Sequence, residues 1–259
     1  NEKEQTWPYY SFYLYEDPSI NFSKRPQVQS YTQNSKSALF NGMINPIIPY
    51  NIKGSIWYQG ENNVSRFKEY ETLFPAMIKD WRKKWSSDFP FYFVQIAPFE
   101  NYNGLSSSLR NVQRKTLKVE KTGMVVTLDI GEIDDIHPSN KHDVGYRLAG
   151  LALSNDYGKP MVASGPLYKN FEVSGNTLNV TFDFIGSGLT SYDKELSAFE
   201  IAGADKKYVA AEASIENNKV YIYSSKIQNP KYARYAWKDT SVASLFNKEG
   251  LPASTFTTE

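Results

Sequence analysis

The sequence predicts an α/β layer fold that continues into an antiparallel β module. Between Ile52 and Tyr157, short apolar runs alternate three times with segments of helical periodicity, which is typical of a parallel sheet covered by helices. From about residue 160, short alternating runs are separated by turn-forming residues, which is typical of antiparallel strands. We therefore predict an irregular or edge segment at 1–36, an α/β domain at 37–159 and a β-rich domain at 160–259.

The first half of the predicted α/β domain contains two strands with a helix between them. The apolar run Ile52–Tyr58 predicts a buried strand. Between residues 65 and 85 the period changes, and one helical face collects Phe67, Tyr70, Phe74, Met77, Ile78, Trp81 and Trp85. Pro75 lies inside that pattern and predicts a kink or a break. The run Phe91–Ala97 predicts the second strand.

The second half of that domain adds two helices and a third strand. Leu105–Val119 has helical composition, with Leu109 and Val112 on one side, and Met124–Asp129 predicts a buried strand. Pro138–Tyr157 predicts a helix with Pro138 in its first turn and Gly158 after its end. Its inward residues are Val144, Leu148, Leu151 and Ala152.

The β module is predicted from runs and turns of the expected lengths. The strand-like runs are Phe171–Val173, Thr177–Phe182, Phe199–Ala202 and Lys219–Tyr223. The turn signals are Ser174–Asn176, Gly186–Gly188 and Asn217–Asn218.

Charge and composition exclude several classes of function. The formal net charge is +1, which provides no electrostatic reason to expect nucleic acid or an anionic membrane as a partner. The absence of cysteine excludes disulfides, thiolate metal sites and a cysteine nucleophile. No apolar run approaches the roughly 20 residues that a membrane-spanning helix needs.

One polar loop follows the first predicted strand, in the segment Trp57–Asn63. Ligands of open parallel sheets bind beyond the carboxyl ends of the strands. Gln59 offers a side-chain amide there and Gly60 permits a tight turn, so the pair is suited to stabilising a developing oxyanion. The alternative is a polar turn in which Asn62 or Asn63 caps the next helix.

A second polar loop, Asp129–Pro138, follows the third predicted strand and contains His137. A carboxylate shortly before a histidine holds the imidazole in the tautomer that accepts a proton and stabilises the imidazolium. The alternative is a helix-start loop in which the aspartates act as caps. A metal site is the competing chemistry, but no spacing typical of a hard-cation loop is present, and we predict neither metal nor cofactor.

Three polar residues outside these loops are Arg110, Gln113 and His142. Arg110 and Gln113 lie one helical turn apart and either face the cleft as substrate-binding residues or form a solvated helix face. His142 does not share a face with His137, and we predict that it lies on the surface.

Several blocks, in the right order, resemble the sialate O-acetylesterase group of the SGNH hydrolases. The segment Trp57–Asn63 is similar to that family's W-Y-Q-G-E-S-N block, with Asn62 where serine is common. Further resembling blocks are Leu39–Ile44 with Pro46, Ile52–Gly54, Asp134–Pro138 with Asn140 and Lys141, Val144–Leu148, Phe199–Gly203, Arg234–Trp237, and Asn247 with Gly250–Ala253. The resemblance runs from about residue 37 to the end.

The resemblance implies a flavodoxin-like three-layer core with an attached β domain, and an enzyme that hydrolyses acetyl esters on sugars. His137 would be the general base, and either Asp134 or Asp135 would be its acidic partner. Gln59 and Gly60 would contribute to the oxyanion site, while Glu61 would organise the loop or reach the histidine. Asn63 would lie among the substrate-binding residues. The resemblance also implies that the protein is secreted or periplasmic.

No serine in the sequence is a plausible counterpart of the family's nucleophilic serine. The family has it in a glycine-framed block far upstream of the Leu39–Ile44 stretch, whereas only 36 residues precede Ser37. The five serines before Ser37 lack that context: Ser11, Ser19, Ser23, Ser30 and Ser35. We therefore expect the first strand and the nucleophile in an N-terminal part missing from this chain, which alone would be inactive. The alternatives are an esterase for acetylated xylan or xyloglucan, and a non-catalytic carbohydrate-binding module.

Overall fold

A computed structural model describes Thr32 and residues 35–259 of the chain. The chain divides into two compact units, Asn1–Tyr50 and Asn51–Glu259. The described part of the first unit contains a π-helical turn, Phe40–Ile44, followed by a 3-10 turn, Asn45–Ile47. The predicted irregular segment 1–36 lies almost entirely outside the described residues.

The second unit begins with a parallel three-stranded sheet. Its strands are β1 (Ser55–Trp57), β2 (Phe91–Val94) and β3 (Thr122–Val125), in the order β1-β2-β3. All three lie within or next to the predicted runs, so the parallel layer is confirmed. The third strand begins two residues before its predicted start, because the Phe91 N–H donates to the Lys121 carbonyl and extends the ladder (2.9 Å). The prediction that the first run is buried is wrong at Ile56, whose side chain on the edge strand is 69% exposed.

Three helices follow the strands in alternation. They are α1 (Phe67–Trp85), preceded by the 3-10 segment Glu61–Arg66, then α2 (Ser106–Thr116) and α3 (Lys141–Asn155). Pro75 lies inside α1 without ending or splitting it, so the predicted break is wrong. Helix α3 begins three residues after Pro138, because the Asn140 side chain caps it by accepting from the Asp143 N–H (3.1 Å).

Alternation of side chains along the strands divides this part of the fold into three layers. Phe91 and Phe93 belong to the apolar cluster that includes the inward faces of α1 and α2. Tyr92 and Val94 point the other way and pack with Val144, Leu148 and Leu151 of α3. The sheet therefore lies between α1 and α2 on one face and α3 on the other.

The remaining strands form antiparallel sheets, as predicted. One sheet has the order β4-β5-β10-β9, a second β13-β11-β7-β8, and β12 pairs with β6. The strands are β4 (Leu167–Ser174), β5 (Thr177–Asp183), β6 (Leu189–Thr190), β7 (Phe199–Ala202), β8 (Val209–Ala210), β9 (Glu212–Glu216), β10 (Lys219–Tyr223), β11 (Tyr232–Tyr235), β12 (Phe246–Asn247) and β13 (Phe256–Thr257).

The predicted hairpin at Asn217–Asn218 is confirmed between β9 and β10. Both asparagines have positive φ, 51° and 60°, as a two-residue turn that matches the strand twist requires. Apolar residues of the two larger β sheets and of the α1–α2 side of the parallel sheet form one continuous cluster. The domain boundary at residue 160 stays a prediction. No helix in the described part of the chain is long and apolar enough to span a bilayer.

Candidate active site

The loops after β1 and β3 approach each other at the carboxyl edge of the parallel sheet. Tyr58 directly precedes Gln59, and its ring lies 5.5 Å from the ammonium of Lys141 at the start of α3. His137 lies four residues before Lys141, on the loop that leads into that helix. The two polar loops that the sequence singles out therefore open on the same edge.

The loop after β2 contacts the loop after β3 at the same edge. The Glu100 N–H donates to the Ile133 carbonyl at 2.9 Å. A Cβ atom at Gly131 would lie 2.6 Å from Cδ of Pro98, so only glycine permits this approach. All three strand-end loops thus contribute to one polar rim.

The side-chain amide of Gln59 is oriented by two neighbours. Its Nε2 donates to Oδ1 of Asn63 at 2.7 Å, and its Oε1 accepts from the Tyr70 hydroxyl at 3.1 Å. Burial raises the pKa of Tyr70 to about 12, so this hydroxyl remains a donor at neutral pH. One N–H of the Gln59 amide is left for a further acceptor.

Gly60 brings the backbone of this loop directly onto helix α2 and the segment that follows β2. Its φ is +151°, and an added Cβ would lie 3.0 Å from Cγ2 of Ile96 and 3.2 Å from Cδ2 of Leu109. Any side chain here would push the loop away from the sheet. Asn62 and Asn63 lie inside the 3-10 segment Glu61–Arg66, and the N-cap positions of that segment and of α1 are Gly60 and Arg66, so the helix-cap alternative is wrong.

Glu61 lies near three tyrosines and forms no ion pair within the part of the chain that the structure describes. Its negative charge adds to burial in raising the pKa values of Tyr58 and Tyr70, each to about 12, and that of Tyr102. Keeping these phenols neutral makes them hydrogen-bond donors beside the Gly60 turn.

The loop that carries His137 is anchored by a nearly buried ion pair. Arg147 of α3 contacts both carboxylate oxygens of Asp129, at 2.8 and 2.5 Å, and also donates to the Val126 carbonyl at 2.7 Å. The side chains of Arg147 and Asp129 are 9% and 17% exposed. The sequence analysis did not predict this ion pair. An aspartate directly after the third strand, together with an arginine on the helix that follows, is the sequence feature that could have indicated it.

His137 itself lies at the outer surface of the rim. Its side chain is 87% exposed, and its Nδ1 is 3.8 Å from Oδ1 of Asp135. The same carboxylate oxygen accepts the His137 backbone N–H at 2.7 Å. Asp134 is exposed. Of the two acids left open by the sequence, Asp135 is therefore the one that the structure brings to the imidazole.

Glu132 on this loop and His142 at the start of α3 make separate contacts. Glu132 accepts from the Ser139 backbone N–H at 2.8 Å and from its hydroxyl, and these bonds hold the pKa of the Glu132 carboxyl below its usual range. His142 is 88% exposed, which confirms the prediction of a surface histidine. Within the described residues, no three His, Asp or Glu side chains are grouped as a metal ion would require.

The prediction that Arg110 faces the cleft is wrong. Arg110 is fully buried, and burial lowers the pKa of its guanidinium to about 10. It donates to Oγ1 of Thr255 at 3.0 Å and to the Lys238 carbonyl at 2.7 Å, so it ties α2 to the β module.

The prediction that Gln113 binds substrate from the cleft is wrong for the same reason. Gln113 is fully buried because α2 turns this polar face inward between the sheet and the β module. Its Oε1 accepts from the Ile96 N–H at 3.0 Å, and its Nε2 donates to the carbonyls of Val94 (3.1 Å) and Gln59 (3.3 Å).

These features define the class of the protein. A parallel sheet covered on both faces, with an amide-bearing loop and a histidine-carboxylate loop at one carboxyl edge, defines an α/β protein whose polar rim lies where open parallel sheets bind ligands.

The comparisons then identify the family. A family model described as carbohydrate esterase, sialic acid-specific acetylesterase, matches residues 25–154, half of the chain. The chain belongs to this family, which confirms the family predicted from the sequence blocks.

Known relatives agree with that assignment. The sialate O-acetylesterase of Mus musculus is 33% identical over 193 residues, covering 65% of this chain and 36% of the relative. That of Rattus norvegicus is 30% identical over 231 residues, covering 78% and 42%. The crystal structure of a carbohydrate acetylesterase from Xanthomonas citri superposes with a TM-score of 0.81 at 38% identity, covering 85% of this chain and 54% of that one. The chain thus spans less than two thirds of the length of these relatives.

Proposed function

We propose that this protein is a carbohydrate O-acetylesterase that uses Ser-His-Asp chemistry, with sialate O-acetyl esters as the first candidate substrate. The observation that carries the proposal is the approach of the Gln59 loop and the His137 loop at one edge of the sheet, seen in the Tyr58–Lys141 contact. Family membership supports the same reaction. We further propose that the sheet is part of a flavodoxin-like SGNH core and that the protein is secreted or periplasmic.

His137 is the proposed general base. Its ring takes a proton from the nucleophile and later delivers it to the sugar oxygen that leaves. Asp135, 3.8 Å away, is the proposed partner of the imidazolium, and a small rotation of the exposed ring would close that distance to a hydrogen bond. Asp134 is the alternative acid.

The proposed oxyanion donors are the free N–H of the Gln59 amide and the backbone N–H of Gly60. Both would stabilise the negative oxygen that forms when the acetyl carbonyl becomes tetrahedral. Asn63 orients the Gln59 amide, and Glu61 organises the tyrosines around the turn.

The proposed nucleophile is a serine outside the residues that the structure describes. In the described part of the chain, no serine hydroxyl is hydrogen-bonded to the His137 ring. Ser11, Ser19, Ser23 and Ser30 are outside the described residues. The serine oxygen attacks the acetyl carbon, the sugar departs as an alcohol, and water then releases acetate from the acyl-enzyme.

The test uses the full product of the gene alongside this chain, with 4-nitrophenyl acetate as substrate. His137→Ala should lower kcat by about a thousandfold or more, because both proton transfers lose their carrier. His142→Ala is the matched control, because it removes an equally exposed imidazole near the same rim. Near-full activity of the His137 variant would remove the base assignment, whatever the activity of this chain alone.

A second substrate class is favoured by one observation. The structural relative from Xanthomonas citri is described only as a carbohydrate acetylesterase, and it is more similar in sequence than the mammalian sialate enzymes. Acetylated xylan or xyloglucan oligosaccharides therefore stand beside O-acetylated sialic acid in the substrate panel. Sugar binding without acetate release by any of them would instead support a carbohydrate-binding module.

A further inference from the structure

The peptide group between Gln59 and Gly60 is held from one side by two buried side chains. The carbonyl oxygen of Gln59 lies 3.3 Å from Nε2 of Gln113 and 3.4 Å from the Tyr70 hydroxyl. These two donors come from α2 and α1, the helices on one face of the sheet. The carbonyl therefore points toward the helix layer.

The direction of the carbonyl determines the direction of the neighbouring N–H. The described part of the chain contains no cis peptide bond, and in a planar trans peptide the C=O and N–H point in opposite directions. The Gly60 N–H must then point away from α1 and α2. No described group accepts a hydrogen bond from it, so it remains available to a ligand at the rim.

We propose that Gln113 and Tyr70 are positioning residues for the oxyanion site. They hold the Gln59 carbonyl inward, so that the Gly60 N–H faces the acetyl group. The single Tyr70 hydroxyl hydrogen is shared between this carbonyl (3.4 Å) and Oε1 of the Gln59 side chain (3.1 Å). This inference rests on the proposed esterase function, because it assigns the two residues a role in that reaction.

Gln113 is suited to the role because its own position is fixed. It is fully buried, and its other two hydrogen bonds go to the Ile96 N–H and the Val94 carbonyl. The end of the central strand is thereby linked to the Gln59 turn through one amide. Gly60 completes the arrangement, since an added Cβ would lie only 3.2 Å from Nε2 of Gln113.

Two conservative variants separate the loss of a positioning hydrogen bond from a change in side-chain volume. Gln113→Glu keeps the volume and an acceptor for the Ile96 N–H, but replaces the donor to the carbonyls of Gln59 and Val94 with a second acceptor. Tyr70→Phe removes only the hydroxyl. Tyr92→Phe is the matched control, because it removes a tyrosine hydroxyl bonded to Asp156 (2.6 Å) on the α3 side of the sheet.

The variants are assayed in the full product of the gene with 4-nitrophenyl acetate. Gln113→Glu should lower kcat about 10- to 100-fold with KM within about twofold, because a donor aimed at the transition state is misdirected while ground-state binding is kept. Tyr70→Phe should lower kcat by a smaller factor, and the double variant should lower it by less than the product of the two. Tyr92→Phe should leave kcat unchanged. An unchanged kcat in both test variants, or a fall equally large in Tyr92→Phe, would overturn the proposal.

A crystal structure of Gln113→Glu provides a readout that does not require activity. The proposal expects the Gln59 carbonyl to rotate out of the helix layer or the turn to move away from residue 113. If the wild-type protein hydrolyses no acetyl ester, the esterase function fails separately, and this structure still decides whether Gln113 orients the Gln59–Gly60 peptide. A Gln59–Gly60 peptide that keeps its orientation in the variant would refute it.

Discussion

Arg147→Met should destabilise the protein by about 3 kcal/mol, because it leaves the Asp129 carboxylate nearly buried without its partner. The substitution removes three hydrogen bonds, two to Asp129 and one to the Val126 carbonyl. Breaking a buried ion pair by removing one partner costs about 3–5 kcal/mol. Asp129 retains 17% exposure, so water partly solvates the abandoned charge and the lower end applies.

The assay is urea unfolding at 25 °C and neutral pH, followed by tryptophan fluorescence. For a unit of this size, a loss of about 3 kcal/mol corresponds to a fall in Tm of roughly 6–12 °C. The double variant Asp129→Leu with Arg147→Met should recover much of the loss, because no charge is then left in the site.

The matched control is Lys169→Met. Its ion pair with Asp183 is of similar length, 2.7 Å against 2.5 Å, but both side chains are at least half exposed. Exposed pairs contribute about 0–1 kcal/mol, so this variant should be nearly neutral. A loss below about 1 kcal/mol for Arg147→Met, or a double variant no more stable than the single one, would refute the reasoning.

Two further predictions concern the same unit. Gly145→Ala should stabilise the protein by about 0.5–1 kcal/mol, since Gly145 is an exposed helical position with no atom near its added Cβ. Gly123→Ala should destabilise it by about 1–3 kcal/mol, because that Cβ would lie 2.9 Å from the Tyr92 ring. Thermal unfolding of the two variants checks that the changes in stability have opposite signs. The pKa of Tyr70 is about 12 in the folded protein and about 10 in the unfolded chain. Its contribution to the free energy of unfolding is therefore fully present below pH 10 and is lost as the pH rises to 12. Urea unfolding at pH 9 and 11 should show about 1.4 kcal/mol of this loss in the wild type and not in Tyr70→Phe; equal losses in both proteins would contradict it.

Local patterns were sufficient for the order of the elements. Apolar alternation and helical periodicity depend on neighbours within a few residues, so the three strand-helix units and the Asn217–Asn218 hairpin could be read directly. Element ends were less accurate. The start of α3 depends on the capping side chain of Asn140, and the start of β3 depends on pairing with a strand about thirty residues away in sequence.

The candidate site was partly predictable from the sequence for a related reason. Chain order and the predicted parallel sheet were enough to expect the Gln59 and His137 loops at one edge. The sequence blocks by themselves were enough to indicate the family. The roles of Arg110 and Gln113 could not be predicted from the sequence, because a helix of this composition can present its polar face to solvent or to a second layer.

The sequence alone determined the family, the alternation of strands and helices, and the residue types that could perform acyl transfer, because these depend on local pattern and chain order. Only the tertiary structure decided which polar groups are satisfied internally and which remain free at the rim. It did so because burial of α2 against the β module makes Arg110 and Gln113 bond to backbone carbonyls, while among the described residues no group accepts a hydrogen bond from the Gly60 N–H.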